Sequence, residues 1–64
     1  MPKEPVLARR EQILRVAEKL FAEHGYRETN LDQVATTLGI KRQAIYYYFP
    51  SKDEILVELI QLAG

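Results

Sequence analysis

Three helix-breaking residues, Gly25, Gly39 and Pro50, divide this 64-residue chain into four short segments. Glycine adopts the left-handed conformation that ends many helices, and the residue before a proline is pushed out of the helical region. Within the segments, apolar residues recur at spacings of three and four, which is the period of a helix with one buried face. A strand at residues 44–49 is the alternative, but it lacks polar alternation and a partner strand. The pattern therefore predicts an all-α fold.

The segments also predict the order of elements. We expect residues 1–7 to form a flexible arm, because they contain two prolines and no helical period, and residues 8–64 to form one folded domain. The first helix should run from about Ala8 to His24. Thr29 or Asn30 is a good N-cap for the second helix, and Ser51 with Glu54 forms a predicted capping box at the fourth. The apolar positions of the four helices are Ile13, Leu14, Ala17, Leu20 and Phe21; Leu31, Val34, Ala35 and Leu38; Ile45 and Phe49; and Ile55, Leu56, Leu59, Ile60 and Leu62.

The second and third segments have the spacing of a helix-turn-helix at about residues 30–49. Ala35 lies four residues before Gly39, where a small side chain lets the next helix cross closely, and Ile45 lies six residues after the glycine, where it can fill the angle between the helices. The alternative interpretation is an ordinary helical hairpin with a glycine turn, which can have the same spacing. The predicted architecture is a small, homeodomain-like bundle of three helices with the start of a fourth, linking helix.

Composition removes several classes of function. The chain has no cysteine and one histidine, so we expect no disulfide, no metal and no cofactor. It is too short for the large catalytic folds, and no carboxylate pair falls in a pocket, so we do not expect an enzyme. No apolar run approaches the length of a membrane span and no secretory signal is visible, so we expect a cytoplasmic protein.

Net charge is zero, but its distribution is uneven. Residues 39–52 contain Lys41, Arg42 and Lys52 and no acid, whereas the rest of the chain has six basic and nine acidic residues. The same window holds four of the six aromatic residues. The overall charge of the chain therefore does not indicate a nucleic-acid partner, but this local concentration of basic and aromatic side chains predicts a surface that binds nucleic acid.

The third helix should carry that surface on its outer side. Arg42, Gln43, Tyr46 and Tyr47 cluster opposite the apolar face, and the small Ala44 would let the helix approach base edges. Arginine and glutamine bind guanine and adenine in a bidentate manner, and tyrosine hydroxyls commonly reach phosphates.

Lys52 lies at the start of the fourth helix, where the macrodipole disfavours a cation. A neighbouring phosphate would explain a lysine there. A solvated lysine offset by Asp53 and Glu54 is the alternative.

The chain resembles the N-terminal DNA-binding domain of the tetracycline-repressor (TetR) family of bacterial transcriptional regulators. The resemblance lies in residues 13–17, 20–26, 29–35, 38–49 and 51–56. The resemblance spans roughly residues 9–59. It departs from the usual family pattern at Asn30, Lys41 and Gln43. The resemblance implies two sets of DNA-binding residues. One set approaches bases or nearby phosphates and consists of Lys41, Arg42, Gln43 and Ala44. The other set mostly holds the DNA backbone and consists of Thr29, Asn30, Tyr46, Tyr47, Tyr48 and Lys52.

The family resemblance also implies partners. They are pseudo-palindromic double-stranded operator DNA, a second copy of the protein bound through a C-terminal domain absent from this chain, and a small-molecule effector bound by that domain. The implied function is an effector-released repressor. The alternative function is a helical protein-interaction module that docks through Tyr46, Tyr47 and the fourth helix.

Overall fold

The computed structural model describes the backbone of residues 5–63 and the side chains of residues 9–63. This part of the chain forms four helices and no strand, which confirms the all-α prediction. The helices are α1 (Pro5–His24), α2 (Leu31–Leu38), α3 (Arg42–Tyr48) and α4 (Lys52–Ala63). No helix within residues 5–63 is both long and apolar enough to cross a bilayer.

Helix α1 begins at Pro5, three residues before the predicted start. Proline is favourable at the first helical position, because its missing N–H would be unpaired there and its φ is already helical. Residues 5–7 therefore belong to the helix and not to the predicted arm. The remaining arm residues, 1–4, lie outside the described residues. The predicted end at His24 is confirmed.

All four helices contribute to one hydrophobic core. Its buried members are Ile13, Leu14, Ala17, Leu31, Val34, Ala35, Ile45, Phe49 and Ile55. Each large aliphatic side chain buried in this way contributes roughly 1.5–3 kcal/mol relative to its exposed state. Helix α1 packs against both α2 and α4, and α3 packs against α2. The seven-residue α3 is thus held from its inner side, which leaves its outer side to solvent.

The turn between α2 and α3 has the predicted geometry. Gly39 lies in the left-handed region with φ 72° and ψ 31°, and its N–H donates to the carbonyls of Ala35 and Thr36. The Ile40 N–H also donates to the Ala35 carbonyl, at 3.0 Å. Ile45 has no exposed surface. The small residue, the glycine and the isoleucine therefore act as predicted, and the unit is a helix-turn-helix.

Helix α4 is fastened to α1 by an ion pair that the sequence pattern did not indicate. The Arg10 guanidinium donates from its two terminal nitrogens to the two carboxylate oxygens of Glu58, each at 3.1 Å. The same guanidinium lies over the Phe49 ring, 4.8 Å from its centroid. One side chain therefore joins α1, α4 and the residue that ends α3.

The predicted capping box of α4 forms only in part. The Glu54 N–H donates to Ser51 Oγ at 3.3 Å, as expected. The reciprocal bond from the Ser51 N–H to the Glu54 carboxylate is not among the hydrogen bonds of residues 9–63.

Candidate nucleic-acid interface

The outer face of α3 presents the predicted side chains to solvent. Arg42, Gln43, Tyr46 and Tyr47 are exposed, and Tyr47 retains 77% of its accessible surface. Ile45, on the opposite side, is fully enclosed. Since burial of Ile45 fixes the rotation of the helix, the four polar and aromatic side chains are held in one direction.

The flanking positions of α3 divide into exposed and supporting residues. Lys41 is the N-cap residue, is exposed, and makes no side-chain capping bond. Ala44 and Tyr48 are half-buried. The Tyr48 ring meets the Tyr47 ring edge to face, with centroids 5.0 Å apart. Tyr48 therefore supports the more exposed Tyr47.

An acid from α2 reaches this basic face. Arg42 Nη1 lies 3.0 Å from Asp32 Oδ2, and both side chains are more than half exposed. Residues 39–52 contain no acid, but the surface that they form in the folded domain includes the Asp32 carboxylate. Sequence periodicity did not indicate Asp32, because it lies ten residues before its partner. Its place in the first turn of α2, the helix against which α3 packs, is the signal that could have indicated this contact.

Asn30 caps α2 and takes part in a capping box with Gln33. The Asn30 side-chain oxygen accepts from the Gln33 N–H at 2.9 Å, and the Gln33 side-chain oxygen accepts from the Asn30 N–H at 2.8 Å. This bonding uses the carbonyl end of the Asn30 amide. The Asn30 residue is exposed, so its amide nitrogen can donate to a phosphate.

Thr29 does not belong to the surface, and its predicted DNA contact is wrong for the side chain. The residue is only 1% exposed. Its hydroxyl lies 3.1 Å from the carbonyl oxygen of Leu20, in the last turns of α1, and 2.9 Å from that of Gly25, which follows α1. Thr29 therefore holds the loop between α1 and α2, and Asn30 is the cap.

Lys52 has internal partners that neither sequence interpretation included. Its ammonium donates to the Tyr26 carbonyl at 2.7 Å and the Thr29 carbonyl at 2.8 Å, and lies 4.3 Å from the centroid of the Tyr26 ring. Among the ion pairs of residues 9–63, none joins Lys52 to Asp53 or Glu54. Because Lys52 is half-buried and bonded to this loop, the alternative of a solvated lysine is wrong. Phosphate binding through the third ammonium N–H stays a prediction.

The structure brings four of the ten predicted residues together in one depression, with Ser51 beside them. Asn30, Arg42, Tyr46, Ser51 and Lys52 line one shallow, open depression where α2, α3 and α4 converge. Within residues 9–63, no group of three or more histidine, acidic or cysteine side chains could hold a metal ion. The depression offers donors and aromatic surface, which suit a phosphate backbone and base edges.

Comparison with known proteins gives a consistent family assignment. The family model of the bacterial regulatory proteins, tetR family, matches residues 13–59. The HTH-type transcriptional regulator HbdR of Aromatoleum sp. (strain CIB) is 46% identical over 48 residues, covering 75% of this chain and 21% of that protein. The HTH-type transcriptional repressor KstR2 of Mycobacterium tuberculosis is 38% identical over 56 residues, covering 88% of this chain and 28% of that protein.

A solved structure has the same fold. The crystal structure of a TetR/AcrR family transcriptional regulator from Thermobifida fusca superposes with a TM-score of 0.80 at 46% identity, covering 84% of this chain and 30% of that chain. The present chain thus spans less than a third of each of these relatives. Because the family model covers most of the chain and the helix-turn-helix is formed, the chain belongs to the tetR family of bacterial regulatory proteins and carries its N-terminal DNA-binding domain.

Proposed function

We propose that this domain binds double-stranded operator DNA in a sequence-specific manner by placing α3 in the major groove. The exposed face of α3, fixed in direction by the buried Ile45, is the observation that carries the proposal. A helix fits the major groove, where each base pair presents a distinct pattern of donors and acceptors. Lys41, Arg42, Gln43 and Ala44, at the start of α3, are placed to approach bases or adjacent phosphates.

Phosphates on either side of the groove are the proposed partners of a second set of residues. These are Asn30, Tyr46, Tyr47, Tyr48 and Lys52. Contacts of this kind fix the register and orientation of a protein on the duplex, whereas base contacts supply the sequence preference. Thr29 contributes by holding the start of α2, and its buried side chain does not contact the DNA.

The regulatory part of the proposal concerns a longer protein built like the relatives. In it, two copies of this domain bind the halves of a pseudo-palindromic operator, and a small-molecule effector bound outside this chain releases the DNA. KstR2, a similar protein, is named a transcriptional repressor, which supports repression over activation. Because its target is the bacterial chromosome, the protein works in the cytoplasm.

Salt dependence tests DNA binding against the protein-docking alternative. Binding to a labelled duplex is measured by fluorescence anisotropy over a range of salt concentrations, with a duplex selected from a random pool by the wild-type chain. Phosphate binding predicts a linear fall of log K with log salt, by about 0.9 for each phosphate neutralised. No enriched duplex, or an affinity independent of salt, contradicts the proposal and favours docking of a protein on Tyr46, Tyr47 and α4.

Arg42→Ala tests the assignment of base contacts to α3. We expect a loss of about 1–3 kcal/mol on the selected duplex and a smaller loss on a scrambled duplex, because a bidentate base contact is made only at the correct sequence. Arg15→Ala is the matched control, since Arg15 is also an exposed arginine in an ion pair, but on α1. Equal losses on both duplexes would identify Arg42 as a phosphate contact.

A further inference from the structure

We propose that Asp32 is a specificity-determining residue, whose carboxylate orients Arg42 for base contact and penalises DNA complexes in which Arg42 turns to a phosphate. The inference rests on the proposed function. It assigns a role in DNA discrimination to an acidic residue on α2, outside the surface that the sequence analysis identified.

The geometry of the pair supports this role. Arg42 Nη1 and Asp32 Oδ2 are 3.0 Å apart and connect the first turn of α2 to the first residue of α3. The bond engages one of the five N–H donors of the guanidinium, so the others remain free for a base. The two side chains are 52% and 64% exposed, and ion pairs as exposed as this one contribute little to stability. The contact is therefore better explained by what it does at the surface than by folding.

An isolated carboxylate is a poor partner for DNA. It only accepts hydrogen bonds, so it cannot pair with guanine N7 and O6 or with anionic phosphates, and in the major groove only the amino groups of cytosine and adenine can donate to it. While Arg42 remains beside Asp32, the arginine neutralises this charge and presents its free donors in a fixed direction. If Arg42 rotates away to a phosphate, the carboxylate is left unpaired beside the duplex. Repulsion between the unpaired Asp32 carboxylate and the DNA therefore weakens the non-specific complex. The orientation of Arg42 by Asp32 strengthens the specific complex.

The test compares Asp32→Ala with Asp53→Ala on two duplexes, the selected one and a scrambled one of the same composition. Asp53 is the matched control because it is also exposed, is also the second residue of its helix, and pairs with no cation among residues 9–63. Both changes remove one negative charge and the same helix-dipole interaction. Circular dichroism melting of both variants checks that they fold alike, and Asp32→Asn repeats the test with a polar isostere.

Relative to Asp53→Ala, we expect Asp32→Ala to raise affinity for the scrambled duplex about fivefold, because a carboxylate that is left unpaired beside the duplex is removed. We expect affinity for the selected duplex to fall relative to Asp53→Ala by about two- to tenfold, because Arg42 must then be ordered on binding. The specificity ratio thus falls about tenfold or more relative to the control. When Arg42 is already replaced by alanine, Asp32→Ala and Asp53→Ala should change the specificity ratio by the same factor.

Three outcomes would overturn the inference. The specificity ratio could be the same for Asp32→Ala and Asp53→Ala, which would make Asp32 a general charge. The ratio could fall equally in the Arg42→Ala background, which would remove Arg42 from the effect. The wild-type chain could also enrich no duplex at all. That result defeats the proposed function itself, and it is distinguished from the other two because discrimination is then missing before any substitution is made.

Discussion

Lys52 and Thr29 fasten the loop between α1 and α2 to the start of α4. The Lys52 ammonium donates to two loop carbonyls, those of Tyr26 and Thr29, while the Thr29 hydroxyl contacts two carbonyls at the end of α1. Backbone carbonyls at a helix end and in a tight loop have no regular partners, and leaving them unpaired is costly when they are shielded from water. The start of α2, and with it Asn30, is therefore positioned by polar contacts.

Lys52→Met should destabilise the domain even without DNA. Methionine keeps an apolar stem against the Tyr26 ring but removes the donors to both carbonyls, so we expect a loss of roughly 1–3 kcal/mol in the free energy of unfolding. Urea denaturation followed by circular dichroism measures it, with the exposed Lys19→Met on α1 as the control. An unchanged stability would mean that Lys52 acts on DNA alone. If its third N–H also reaches a phosphate, the salt slope of binding falls by about one.

Exposure of single residues was predictable where helical periodicity decides it. Tyr46 and Tyr47 point away from the apolar face of their helix, and the structure exposes both. The partners of Thr29, Lys52 and Asp32 were not predictable, because each contact spans 9 to 26 positions of the chain or lies across a turn. A periodic pattern states which side of a helix is buried, but not which neighbouring element that side meets.

The turn that connects α2 and α3 depends on the conformation of Gly39. Its φ of 72° lies in the region that residues with a Cβ avoid, yet a Cβ built there would meet no atom within 4 Å. Backbone strain alone therefore determines the effect of a substitution. The turn also sets the angle at which α3 leaves α2, so the direction of the outer face of α3 depends on Gly39.

Gly39→Ala should lower stability by about 1–2 kcal/mol, the strain of an L-residue in the left-handed region. For a domain of this size, each kcal/mol lowers the melting temperature by about 4–8 °C. Gly39→Asn is the matched control, because asparagine tolerates this conformation better and adds a Cβ in the same place. If Asn and Ala lower the melting temperature equally, the cause is not backbone conformation.

The attachment of α4 to α1 should depend on pH through Glu58. Its hydrogen bonds with Arg10 lower the pKa of the Glu58 carboxyl below the ordinary 4.5. A carboxyl with a lowered pKa in the folded state stabilises the fold above its unfolded pKa, and this contribution disappears as the pH falls through the folded pKa.

Glu58→Gln should therefore be less stable than the wild type at neutral pH, and the difference should shrink as the pH falls below about 4.5. Thermal melting at a series of pH values measures this difference. Glu18→Gln, an exposed α1 position with no ion pair in the described part of the chain, provides the control. A gap between Glu58→Gln and wild type that is the same at every pH would mean that the carboxylate charge is not what attaches α4.

The order and the ends of the helices follow from local signals, with differences that have local causes. Gly25, Gly39 and Pro50 end elements where predicted, because backbone conformation at these residues is determined by the residue itself. The start of α1 was placed too late, since Pro5 was treated as a breaker although proline is favourable at a first helical position. The bidentate attachment of α4 spans 48 positions, and no local signal indicates it.

Helix α4 retains apolar surface that the four-helix core does not cover. Val57, Ile60 and Leu62 are 49%, 60% and 67% exposed, whereas Ile55 on the same helix is fully buried. The apolar residues of α4 are spread around more than half of the helix, so they cannot all face one core. The chain also spans only 21–30% of the length of the relatives described above. DNA binding by a single domain of this size is therefore an incomplete measure of how the longer relatives bind.

The number of domains that contact one site should determine the affinity. A single α3 occupies one half-site, and a major-groove helix with a few phosphate contacts gives weak, salt-sensitive binding. Joining two copies by a flexible linker makes the second contact intramolecular, which can raise the apparent affinity by about 10²–10⁴ without any new contact. The gain requires half-sites separated by about one helical turn of DNA, because only then do both recognition helices face the same side of the duplex.

Titration of the single chain and the tethered dimer against one palindromic duplex, at fixed salt, measures this gain. A duplex whose half-sites are moved apart by five base pairs, about half a helical turn, is the control, since the second site then faces the opposite side. We expect the tethered dimer to lose most of its advantage on that duplex while the single chain binds both equally. A single chain that bound as tightly as the dimer would contradict the two-headed arrangement. In that case the contacts of α3, Asn30 and Lys52 would be sufficient for full affinity at one site.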